Sequence, residues 1–139
     1  MSARELPSSF DARLEAAFGA RLPELYSRAV AAAPPAELPH AMELRSFLAL
    51  VEKEVGRVRD HIHAHTAPDR AIWHLSAVAV RTDAERLEAA LSARKGYCKA
   101  LASVIARQRA AQRTTSLHAR AASPAPAPGT APVRAAHPH

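Results

Sequence analysis

Apolar side chains recur at intervals of three and four along most of this chain, the spacing of helices that bury one face. Phe10, Leu14, Phe18, Leu22, Leu25, Tyr26 and Val30 form the first series. It opens on Ser8-Ser9-Phe10-Asp11, a capping-box form with an acid near the positive helix end. The pattern predicts a helix over 9–32, in which Pro23 forces a kink near Leu22 or a restart with Pro23 in the first turn. Pro34 and Pro35 end it, because a residue before proline is driven out of the α region.

The cleanest series follows: Leu44, Leu48, Val51, Val55, Val58, Ile62 and His65, stepping by four and three, with Phe47 beside it. This heptad seam predicts a helix over 39–64 that pairs as coiled-coil helices do. Thr66-Ala67-Pro68-Asp69 has the form of the next helix start, so a connection of about four residues favours an antiparallel hairpin. The third helix is expected over 67–112, with Trp73, Ala77, Val80, Ala84, Leu87, Leu91, Arg94, Cys98, Leu101 and Ile105 on its seam. Thr82-Asp83-Ala84-Glu85 repeats the capping form, and a break and a bend near Thr82 both fit it.

Beyond Gln112 large apolar residues nearly vanish, and 123–129 reads Ser-Pro-Ala-Pro-Ala-Pro-Gly, which has no means of burying surface. The expected architecture is therefore all-α: an antiparallel helical hairpin or small three-to-four-helix bundle with coiled-coil-like seams. A flexible N-terminus over 1–8 precedes the helical domain at 9–113, and a disordered, basic, Pro/Ala-rich tail follows over 114–139. Aromatics make up only 4% of the 139 residues, so few bulky groups exist to fill a wide core and paired helices suit the chain.

Charge divides the chain unevenly. Residues 1–88 carry 11 basic and 13 acidic side chains, whereas 89–139 carry eight basic and no acidic ones. Arg94, Lys95, Lys99, Arg107, Arg109, Arg113 and Arg120 are the candidate nucleic-acid contacts, since such a segment attracts phosphates without reading sequence. His61 and His65, one turn apart, with His74 across the connection, are the candidate ligands for zinc or nickel. Their ordinary role is to sit solvated at the negative end of a helix. Cys98, the single cysteine, permits no intrachain disulfide and reads as a small apolar seam residue, and Trp73 reads as a core anchor.

No phosphate-binding glycine loop, nucleophile elbow or dinucleotide fingerprint occurs, so the sequence predicts a non-enzymatic protein without a cofactor. Neither a signal peptide nor a membrane span is read: 1–7 has no apolar core, and the apolar run 71–80 is about half of a spanning length. The expected location is intracellular. The leading expectation is a helical interaction or scaffold protein, a subunit of a multi-protein or homo-oligomeric assembly. Its interface would be Leu44, Phe47, Leu48, Val51, Val55, Val58, Ile62, Trp73, Val80, Leu87, Leu91, Cys98, Leu101 and Ile105. The alternatives are a nucleic-acid or chromatin-associated protein using the basic C-terminal third, and a histidine-cluster metal binder.

Overall fold

The structure is a computed structural model that describes residues 1–124, 126–129 and 136. Among them it is all helical: α1 (Asp11–Phe18), α2 (Leu22–Ala29), α3 (Leu38–Thr66), a single 3-10 turn (Ile72–His74) and α4 (Ala77–Ala122). α3 and α4 lie antiparallel, as their cross-pairs show: Glu37 meets Arg107, Glu52 meets Arg94 and His61 meets Asp83. α1 and α2 cover the open end of this hairpin and supply a further layer.

The helix expected over 9–32 is two helices. Gly19 takes the left-handed conformation (φ 69°) that only glycine adopts freely, and its amide bonds Glu15 O at 2.8 Å, ending α1. α2 then restarts with Pro23 in its first turn, and the Glu15 carboxylate accepts the free Leu22 amide at 2.9 Å. Ahead of α1, the Ser8 amide donates to Asp11 at 3.0 Å, one half of the capping arrangement that the sequence suggests.

The core gathers where all four helices meet. Leu14, Leu25, Leu48 and Leu101 are fully buried there with Leu38, Val104 and Ile105. Each such side chain contributes about 1.5–3 kcal/mol relative to exposure. Into this core α3 also sends Arg45, only 1% exposed. Its guanidinium pairs with Asp11 at 2.8 and 2.9 Å and donates to the carbonyl oxygens of Ala3 and Leu6 and to the Tyr26 hydroxyl. Burial disfavours its charge, but the bonds to Asp11 and Tyr26 outweigh that and raise its pKa. The first ten residues, expected to be flexible over 1–8, are thereby held against α3, with Leu6 and Phe10 buried.

Two further expectations are corrected and one open alternative is decided. The third helix begins at Ala77 and not at 67. α3 ends at Thr66 because Pro68 drives Ala67 out of the α region (ψ 134°), while the Ser76 hydroxyl accepts from the Ala79 amide at 3.2 Å and opens α4. No break occurs near Thr82, because Asp83 turns inward to His61 rather than capping a helix start. The helix also runs past 112 to Ala122, since Ala110, Ala111, Leu117, Ala119 and Ala121 favour helix without burial. The described residues beyond it are exposed and lack regular structure, and the rest of the 114–139 tail lies outside the described residues.

The predicted seam of α3 faces α4, every member being buried or half-buried, whereas the predicted seam of α4 is rotated. Its inward series is Val80, Asp83, Leu87, Ala90, Arg94, Tyr97, Leu101, Val104 and Gln108, which also steps by three and four. Ala84 and Leu91, one position away, are exposed. The rotation follows polar pairing: α3 offers His61 and Glu52 opposite the inward Asp83 and Arg94.

Candidate functional site

The basic residues expected to act together fall into two groups on α4. Arg94 and Arg107 are held in pairs. Arg94 donates to Glu52 at 3.0 Å and to the Ser9 hydroxyl at 3.2 Å, and the Ser9 amide also donates to Glu52 at 2.9 Å. Burial works to raise the Glu52 pKa, but the bonds from Ser9 and Arg94 outweigh it and hold the carboxyl below the usual range. Arg107 forms a two-pronged pair with Glu37 at 3.1 and 3.0 Å, which lowers the Glu37 pKa and raises that of the arginine. These two arginines fasten α4 to the rest of the fold.

Lys95, Lys99, Arg109, Arg113 and Arg120 behave differently. All five are exposed, and among the described residues none has an ion-pair partner. They lie on one line of the helix surface, the series 95, 99, 102, 106, 109, 113, 116, 120, whose steps of four and three keep one face of a helix. Ala102, Ala106 and Ser116 fill the remaining places, so small side chains separate the cations. Continued toward the N-terminus the same line reaches Ser92, Glu88 and Glu85, where its sign reverses.

The surroundings leave this face open. α4 pairs with α3 only as far as Arg107 opposite Glu37. Its last tie to the bundle is the Gln112 amide donating to Ala17 O at 2.8 Å, which also caps the end of α1. Residues 113–122 are helical and exposed on every side, an arm projecting from the bundle.

Of the three candidate histidines, His61 and His65 lie together and His74 stands apart. His61 Nδ1 meets the Asp83 carboxylate at 2.7 Å, and its ring lies 4.2 Å from that of His65, centroid to centroid. His74 sits in the 3-10 turn with its ring against Trp73. Among the described residues no group of three His, Cys, Asp or Glu could hold a metal ion. Trp73, expected as a core anchor, is instead 83% exposed at the hairpin tip beside Ile72 at 84%. The ten-residue connection holds it away from both helices. Of the expected interface, Leu44, Leu48, Val58, Leu101 and Ile105 are buried inside the chain. Val51, Val55, Ile62, Val80, Leu87 and Cys98 are half-buried, and Phe47, itself partly exposed, stacks on Tyr97 with ring centres 5.8 Å apart.

Sequence reasoning missed the polar residues that organise these pairs: Ser9, Glu37, Glu52, Asp83 and the buried Arg45. A signal existed for two of them. Arg45 lies among Ala41, Met42, Leu44 and Leu48, and Asp83 lies three residues from Val80 and four from Leu87, so each occupies an inward position of its helix. The single line of cations was equally readable, although only the one-turn pairs Lys95–Lys99 and Arg109–Arg113 stand out at first sight. Comparison with protein-family models, curated proteins and solved structures returns no match. Among the described residues no helix is long and apolar enough to cross a membrane.

Proposed function

We propose that this is a non-enzymatic helical interaction protein whose working surface is the cationic face of α4, which binds nucleic acid through its phosphates. One observation carries the reading: five exposed cations, without ion-pair partners among the described residues, share one face of one continuous helix, and no acidic side chain follows Glu88. Unneutralised charge aligned on a rigid support favours an extended polyanion over a single small anion, because every cation can be satisfied at once without bending the helix. Of the expected apolar interface only Phe47, Trp73 and Leu91 are exposed, and the rest is buried or half-buried within the chain, which turns the reading toward charge. Arg94 and Arg107, engaged by Glu52 and Glu37, are excluded from the binding set.

The test is a titration of fluorescent nucleic acid at low and moderate salt. The intact protein binds at low salt and loses affinity steeply as salt rises. Arg109→Glu with Arg113→Glu weakens binding by at least about tenfold, since two phosphate contacts become repulsions. Failure of the intact, folded protein to bind at low salt overturns the proposal.

A further inference from the structure

We infer that the nucleic acid fitted by this face is duplex DNA, read along its backbone without regard to sequence; this rests on the cationic face being the binding surface. The argument starts from the shape of the support. Lys95 and Arg120 are carried by the same uninterrupted helix, so the line of cations spans roughly 37 Å at 1.5 Å per residue. That is close to one helical turn of B-DNA, roughly 34–36 Å. A straight rod matches a straight rod: duplex DNA stays stiff far beyond this length, so neither partner has to deform. A single strand is flexible, and fixing it along such a line costs conformational freedom.

The chemistry of the face points the same way. Proteins that hold single strands stack bases on aromatic rings. No aromatic residue lies on the series 95 to 120; Tyr97 faces inward against Phe47, and Trp73 sits near the opposite end of α4. Cations alone meet the ligand here, and cations meet phosphates. Asparagine and glutamine, the side chains that read adenine edges, are also missing from this line: Gln108 faces inward, and the Gln112 amide is spent on Ala17 O. Ala102, Ala106 and Ser116 keep the surface low between the charges, so a phosphate backbone can approach the helix closely.

The footprint has a defined boundary. Glu85 and Glu88 continue the same line beyond Ser92 and would repel phosphates, so the contact ends at Lys95. Five cations predict a slope of log affinity against log salt of about −4.5 on duplex DNA.

The experiment uses the full-length chain with probes of about 20 base pairs or nucleotides: one duplex, its separate strands, a duplex of scrambled sequence, and vesicles containing phosphatidylserine. The expected result is duplex binding at least about tenfold tighter than single-strand binding, equal affinity for the scrambled duplex, and the slope above. Arg113→Gln with Arg120→Gln reduces the slope by about two, while Glu85→Lys with Glu88→Lys steepens it and tightens binding. All four positions are exposed, and circular dichroism of each variant verifies the helix. Equal or tighter binding of single strands, preference for the vesicles, or a slope shallower than about −2 overturns the duplex assignment while phosphate binding stands or falls on its own titration. Absence of binding to every nucleic acid at low salt overturns both.

Discussion

The two ends of the α3/α4 hairpin start from comparable helical pattern and arrive at different structures. At the end where Leu38 and Ile105 lie, α1 and α2 add a layer, and Leu14, Leu25, Leu48 and Leu101 are fully buried. At the other end two helices stand alone, and Val80 and Leu87 stay half-buried while Ile72 and Trp73 are exposed. Periodicity makes a helix amphipathic, but two rods can cover only the strip between them. Val58 and Asp83 are buried on that strip, and covering a wider face requires a third element.

Leu48→Ala should expose that contrast most strongly. It removes a side chain surrounded on all sides and should cost about 2–5 kcal/mol of stability in a denaturant titration. A loss below about 1 kcal/mol would mean that the four-helix end is loosely filled.

A smaller effect is expected at the joint between the two ends, where Ser9, Glu52 and Arg94 tie the N-terminal segment, α3 and α4 together. The Glu52 pKa is lowered in the folded chain, so its stabilisation is present above about pH 4.5 and is lost as pH falls through the folded value. Stability of Glu52→Gln should therefore fall less steeply than that of the parent below pH 5. Glu37 and Glu54, also lowered, keep some acid dependence in the variant. An unchanged acid limb in the variant would show that the Glu52 pair does not contribute to it.

The smallest effect belongs to the tip. Trp73→Ala deletes the largest side chain in the protein, yet its exposure limits the expected change to about 0.5 kcal/mol. Thermal unfolding of the two variants side by side sharpens the comparison: a large loss for Trp73→Ala would mean that the tip is covered in solution.

The helical class and the α3 seam were legible because both depend on local spacing, and Leu44, Leu48 and Val58 are indeed buried where the series places them. The α4 seam differs at Ala84 and Leu91 because apolar spacing alone favours them over their neighbours Asp83 and Ala90, which face inward. Asp83 faces inward where His61 meets it from the other helix. Likewise the Thr66 and Ser76 hydroxyls look alike in the sequence, but Thr66 bonds back along α3 to Ile62 O whereas Ser76 caps the start of α4. The cationic line was fully present in the sequence; that Arg94 and Arg107 are withdrawn from it was not.

By itself, the sequence determined the all-helical class, the helix restart at Pro23, and that positive charge collects after Glu88, since each depends on neighbours a few residues apart. Only the tertiary structure decided which way α4 turns, which cations are neutralised, and where along the last helix its support ends. Those depend on partners distant in the chain, whose charges and shapes meet only when the helices are brought side by side.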